Sequence, residues 1–371
     1  MKKALCFKQG SFSFVNESIA RTLPSALPGY EFRWLDIIDD IARPRPATYL
    51  AGLIEATLRY PQPIFRYRFS PQAFLPRTVT FLRMFGHWVS TSPEFSDAAF
   101  SFQTQSVFRA IRPGIPHFGY TDHTHLANAR YGNARKLQPM TRQWLAMERS
   151  LYADSRVTFT TGEFAARSVI EDYQIPPSRV QCVHSGINIP FPETLPPKAN
   201  LHPRIVFVGV EWERKGGPEM IEAFRKITGE FPGTELHIVG CDPGLTMDRV
   251  VIHGRIPREQ VGAHLAQADI FLMPSRSEPS AVAVVEAAAY GLPVVTTSVG
   301  ANAERVLEGE SGFLVPPRSP EAIAGALRKL LSDAALRQRF GERGRALVRE
   351  HFLWDTVAEK IARRIQAELS A

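Results

Sequence analysis

Residues 269–304 read DIFLMPSRSEPSAVAVVEAAAYGLPVVTTSVGANAE. The apolar run Ile270 to Met273 predicts a short buried strand. Pro274 and the polar residues after it end that strand. Ala281 to Tyr290 predicts an alanine-rich helix, stopped by Gly291. Leu292 to Thr297 is apolar and β-branched and predicts the next strand. A strand–loop–helix–strand unit is the building block of a parallel α/β sheet.

Two carboxylates lie in this unit, Glu278 in the loop and Glu286 inside the helix. A helix starting near Ala281 leaves its first N–H groups free, and its dipole favours an anion there. Ser280 and Ala281 are small, so a ligand can approach the backbone. Glu286 lies five residues on, roughly 7–8 Å along the axis at 1.5 Å per residue. That is the reach from a phosphate at the helix tip to a ribose beside the helix, whose two vicinal hydroxyls a carboxylate can accept from. Glu278, on the other side of the tip, suits the hydroxyls of a sugar. The same spacing also fits a solvated loop acid and a surface residue.

A chain of 371 residues suggests two domains. Its 44% hydrophobic and 22% charged fractions are those of a globular protein. No run approaches 18 apolar residues, so no transmembrane helix is expected, and the first residues read as a strand rather than a secretion signal. Cys6, Cys182 and Cys241 are scattered without metal-ligand spacing, which predicts a reduced, cytoplasmic setting. The net charge of +7 suits an anionic ligand or an anionic membrane surface. Nucleic acid is not expected, because zinc-finger spacing, an RNA-recognition aromatic signature and long basic runs are all missing.

In the first half, Lys3 to Phe7 predicts strand one, followed by a loop with Gly10 and a helix over Val15 to Leu23. Arg43 to Ser90 carries seven arginines against one acid, Glu55, with aromatics interleaved. Such a stretch can rest on anionic headgroups, or its aromatics can be core and its arginines a solvated face. Prolines at 44, 46, 61, 63, 71 and 76 are expected to break any long amphipathic helix. Phe100 to Thr104 and His117 to Tyr120 predict strands, the second running into Thr121-Asp122-His123-Thr124-His125. Titratable residues at a strand's C-terminal end stand where open α/β sheets bind ligands. Asp122 and His123 compete for a role there in holding or deprotonating a hydroxyl, and His125 either shares in it or stabilises the following turn. A helix is expected over Met140 to Tyr152.

The proline-rich segment 191–203 predicts a linker between a first domain (1–190) and a second (204–350). The second opens with the strand RIVFVG at 204–209. Arg214 and Lys215 follow in a glycine-containing turn before a helix, a setting suited to a diphosphate. Val250 to His253 predicts a strand, followed by Gly254-Arg255-Ile256-Pro257. A last helix is expected near 356–369.

Met-Pro-Ser-x-x-Glu, seven residues, Glu-Ala, then Gly-Leu-Pro-Val-Val and Val-Gly-Ala-Asn-Ala-Glu, resembles the donor-site signature of the family 4 retaining glycosyltransferases. The resemblance covers the second half closely and the first half loosely. It implies the GT-B fold: two doubly wound Rossmann-like domains facing across a cleft, with residues 351–371 crossing back to the first. It implies that Glu286 binds the ribose of a nucleotide-diphospho-sugar donor and Glu278 the donor sugar. The amides of Ser280, Ala281 and Val282 would bind the diphosphate with Lys215 and Arg214, and the backbone of Arg255 and Ile256 the nucleobase. Asp122 or His123 would face the donor sugar and the acceptor, which in this family is often a glycan or lipid-linked. Val210 stands where the family has Arg, and Pro279-Ser280-Ala281 stands for its Gly-Phe-Gly. The implied reaction is hexose transfer with retention and no enzyme nucleophile. An Asp-x-Asp metal clamp is missing, so no cofactor or metal is expected. The rival readings are a GT-B epimerase and a non-catalytic nucleotide-sugar or glycan-binding protein.

Overall fold

The computed structural model describes residues 1–11, 14–66, 70–130, 142–198, 201–278 and 281–370. The chain forms two compact units, Met1–His184 with Val357–Ala371, and Ser185–Thr356. Residues 191–203, expected as a linker, are thus counted with the second unit.

The first unit holds a six-stranded parallel sheet of β1 (Lys2–Lys8), β2 (Tyr30–Asp36), β3 (Ala98–Thr104), β4 (His117–Thr121), β5 (Val157–Thr160) and β6 (Val180–Cys182), in the order β2-β1-β3-β4-β5-β6. β4 and β5 are buried along their whole length, as expected of a parallel sheet covered on both faces. β2 escapes the sequence reading, although its YEFRWLD sequence alternates aromatic and polar residues with the strand period of two. The prolines of 43–90 divide that stretch into short helices. Pro46 begins Pro46–Arg59 at a position where its missing N–H costs nothing, and Thr78 caps Val79–Thr91 by accepting from Phe81 N. Phe74, Phe81 and Phe85 are core, whereas Phe65 is 70% exposed. Tyr67, Arg68, Phe69 and Met140 lie outside the described residues.

The second unit holds β7 (Arg204–Val208), β8 (Glu235–Val239), β9 (Val250–Gly254), β10 (Ile270–Met273), β11 (Val294–Thr297) and β12 (Gly312–Val315), all parallel, in the order β12-β11-β10-β7-β8-β9. Counted from its own first strand this is 6-5-4-1-2-3, the doubly wound dinucleotide-fold order. The connections diverge between β7 and β10, so the loops leaving these two strands open a crevice at the sheet's C-terminal edge. Among the described residues, no helix is long and apolar enough to cross a membrane.

Candidate functional site

The two loops at the β7/β10 divergence carry Lys215 and Glu278. After β7 the chain turns through Glu211 to Gly216, closed by Lys215 N donating to Glu211 O. Gly216 caps the helix Gly217–Ile227 with φ +78°, and a Cβ there would come within 2.0 Å of the Pro274 carbonyl oxygen. Only glycine allows both this left-handed backbone and this approach to the end of β10. A Cβ on Gly209 would likewise meet the Lys215 stem at 2.3 Å. Two glycines therefore make room for Lys215 to lie over the strand ends.

Glu278 is buried, at 5% exposure. Its Oε2 accepts from Lys215 Nζ at 2.9 Å and from Arg214 Nη1 at 3.2 Å, and its Oε1 accepts from Ala281 N at 3.2 Å. Burial alone would raise this carboxyl's pKa, but the Lys215 and Arg214 charges outweigh it and hold the pKa at about 2. Arg214 Nη1 also donates to Ser277 O at 2.7 Å, tying the two loops together.

Ala281 is the residue before the helix Val282–Ala289 and has φ +47°, a left-handed conformation rare for a residue with a Cβ. This is where the resemblance has glycine. Its N–H was expected to be free for an anion; instead it donates to Glu278. Ser280 lies outside the described residues.

Glu286 is buried within that helix, and its Oε1 accepts from Asn188 N at 3.0 Å. Burial raises its pKa to about 7, against the lowering effects of the Asn188 amide, Arg258 and Lys215. Asn188 is fixed in turn by Trp354, whose indole N–H donates to Asn188 Oδ1 at 3.3 Å. The same indole packs against Gly186, where a Cβ would stand 2.4 Å from the ring. Arg255 is exposed, while Ile256 packs against the sheet core.

Sequence reading missed several polar groups near Glu278. Asn302 is fully buried and donates to Thr296 Oγ1 at 3.0 Å, and Ala301 N donates to Glu278 O. Arg276, two residues before Glu278, donates to Glu219 and Glu213 at 2.8 and 3.0 Å. A single buried Asn or a loop arginine has no local signature, so only the tertiary neighbours mark them.

In the first unit, the strand end after β4 separates the three competing residues. Asp122 and His123 form a pair, Oδ1 to Nδ1 at 2.5 Å, with side chains 12% and 25% exposed. Burial alone would lower the imidazole's pKa, but Asp122 raises it above its ordinary value. His125 is buried, its ring edge-on to Trp144 at 3.8 Å between centroids. Burial, Arg77 and His123 drive its pKa down to about 3, so the ring stays neutral.

Glu148, not singled out from the sequence, is fully buried behind this loop. It accepts from Ser106 Oγ, His125 N and the Tyr152 and Tyr173 hydroxyls, and so anchors the segment that carries Asp122 and His123.

The chain matches Glycosyltransferase Family 4 over residues 42–190 and Glycosyl transferases group 1 over 195–347. It is 32% identical over 170 residues to a glycogen synthase of Mycobacterium tuberculosis, covering 43% of this chain and 41% of that protein. It is 31% identical over 178 residues to a GDP-mannose-dependent alpha-(1-6)-phosphatidylinositol monomannoside mannosyltransferase of the same species, covering 43% of this chain and 46% of that one. The matches thus span less than half the length of these relatives. A sucrose-phosphate synthase structure from Thermosynechococcus elongatus superposes over the whole of both chains with TM-score 0.71 at 17% identity, a likeness of fold.

Proposed function

Because the chain belongs to the family 4, group 1 glycosyltransferases and has their two-domain GT-B fold, we propose that it is a retaining glycosyltransferase. It moves a hexose-type sugar from a nucleotide-diphospho-sugar to an acceptor hydroxyl. The observation that carries this reading is the ion cluster of Lys215, Arg214 and Glu278 at the β7/β10 divergence, with Glu286 in the helix that follows.

In this reading Lys215 and Arg214 stabilise the charge that develops on the leaving diphosphate, an electrostatic role that needs fixed cations in a partly buried site. Glu278, ionised throughout the working pH range, aims those cations and holds donor-sugar hydroxyls. Glu286 accepts from the ribose hydroxyls, and the backbone at Arg255 and Ile256 meets the base. The amides of Ser280 and Val282 are assigned to the diphosphate, while the Ala281 N–H holds Glu278 beside them. Asp122 and His123 hold and orient the acceptor hydroxyl. No enzyme nucleophile is used: a donor phosphate oxygen takes the acceptor proton. The two cations take the role a divalent metal has in other transferases, so chelators leave turnover unchanged.

The acceptor is a glycan or a lipid-linked sugar, used at the cytoplasmic face of a membrane. Its support is the helix Pro46–Arg59, which presents Leu50, Ile54 and Leu58, 59%, 54% and 78% exposed, at the four-residue spacing of one helix face. With Phe65 and Arg59 nearby in sequence, this is the apolar-plus-basic surface that rests on anionic headgroups. Vesicle flotation tests it. The chain should bind phosphatidylglycerol vesicles and not neutral phosphatidylcholine vesicles, and the double variant Ile54→Asp with Leu58→Asp should lose the binding. Equal binding to neutral vesicles sinks it.

The test of the donor reading is a screen of UDP-, GDP- and ADP-sugars by thermal stability and slow hydrolysis. One nucleotide family should stabilise the wild type and neither Glu286→Ala nor Lys215→Ala. A nucleotide-binding protein without transferase activity is the second reading, favoured by the exposed Val210 in place of the family's Arg. Binding with neither hydrolysis nor transfer to any acceptor would select it.

A further inference from the structure

We propose that His237, His253 and His264 form a binding site for one divalent transition-metal ion, of the zinc class, that clips the outer edge of the second unit's sheet. Each residue comes from a different element: His237 from β8, His253 from the edge strand β9, and His264 from the helix Arg258–Ala266. One ligand nitrogen from each lies within 4.8 Å of the others.

The geometry is that of a prepared site. His237 Nε2 lies 3.0 Å from Glu235 Oε2, and as the carboxylate can only accept, Nε2 carries the proton. This leaves the lone pair of Nδ1 aimed at His253 Nε2, 3.0 Å away. Two imidazoles on a tetrahedral zinc at 2.0–2.1 Å stand about 3.3 Å apart, nearly the same separation. The His264 ring meets His253 at 4.3 Å between centroids. A carboxylate behind a ligating imidazole is the usual arrangement that fixes its tautomer and strengthens the ligand.

The backbone contributes as well. The β8/β9 register shifts between Ile238 and Val239, whose partners are Ile252 and Gly254, so His253 is the extra residue of a bulge. A bulge re-aims one side chain of a strand. His237 is buried, while His253 and His264 are partly exposed and leave a path for the ion. Burial lowers the pKa of all three imidazoles, which keeps them in the neutral form a metal needs. Three imidazoles suit zinc, cobalt, nickel or copper better than magnesium or calcium, and the fourth position is left to water. The ion's role is structural: it ties an edge strand and a surface helix to β8. It takes no part in sugar transfer.

The experiment uses the full chain without a polyhistidine tag, stripped with EDTA and dialysed. Titration with cobalt chloride should give visible ligand-field absorption that saturates at one equivalent and is displaced by zinc. Zinc should also raise the melting temperature by several degrees. His253→Gln with His264→Gln should weaken zinc binding at least 100-fold and remove the stabilisation, and Glu235→Gln should weaken it about 10-fold. His87→Gln, an exposed histidine of the first unit, should change nothing. If circular dichroism shows the double variant unfolded, His264→Gln on the partly exposed helix is measured instead. Absence of saturable one-equivalent binding, or equal affinity in the folded histidine variants, overturns the site.

Discussion

Lys215 and Glu278, 63 residues apart in sequence, meet in a 2.9 Å ion pair at the point where the second unit's sheet diverges. Each comes from the loop leaving one of the two central strands. The pair holds a buried carboxylate ionised and a lysine in one orientation.

That coupling is measurable. Lys215→Ala leaves Glu278 buried with Arg214 as its remaining cationic partner and should cost about 3 kcal/mol of stability. Adding Glu278→Gln should recover part of the loss, with an interaction energy of about 1–3 kcal/mol in a double-mutant cycle by urea unfolding. Additive losses would show the two residues do not support each other.

Glu286 trades stability for binding. Its carboxyl rises from the ordinary value of 4.5 to about 7 in the folded chain. Below pH 4.5 it is protonated in both states. Between 4.5 and 7 only the unfolded chain ionises, so this group's contribution falls as pH rises and reaches a cost of about 3 kcal/mol above 7. Glu286→Gln should therefore melt higher than the wild type at pH 8, match it near pH 4.5, and lose nucleotide binding. An equal or lower melting temperature at pH 8 would contradict the buried-charge account.

Ala281 and Gly216 share a left-handed backbone but differ in what a substitution does. Ala281→Gly removes the Cβ penalty and should stabilise the chain by about 1 kcal/mol with donor binding retained. Gly216→Ala adds that penalty and drives a Cβ into the Pro274 carbonyl, so it should lose more than about 2 kcal/mol. Denaturant midpoints of the two variants, moving in opposite directions, check this.

His123 owes its raised pKa to Asp122, so Asp122→Asn should lower it, as read from imidazole NMR titration. A raised folded pKa gives stability that is fully present below the ordinary value near 6.5 and is lost as pH rises through the folded value. The stability gap between wild type and Asp122→Asn should therefore be widest below the ordinary histidine value of 6.5, while Asp122 is still ionised, and close at high pH. A gap constant across this range would assign Asp122 a packing role only.

The sequence by itself determined most of the elements and their order, β2 being the strand that escaped it. Apolar runs such as Ile270–Met273 and Arg204–Val208, and stops such as Gly291, are local signals, because strand and helix periods are set by neighbouring residues along one chain. The candidate donor residues were legible too, but only as members of a spaced motif. Tertiary structure decided what no local pattern contains. It brought Lys215 to Glu278, and it seated Glu286 against the Asn188 amide. It buried His125 against Trp144 while leaving Asp122 and His123 partly open. It put Glu148 behind that loop and gathered His237, His253 and His264 from three separate elements. Each of these depends on which strands lie side by side and on how deeply a side chain is buried. Charge, pKa and ligand geometry follow from those distances, and distances between residues far apart in sequence exist only once the sheet has formed.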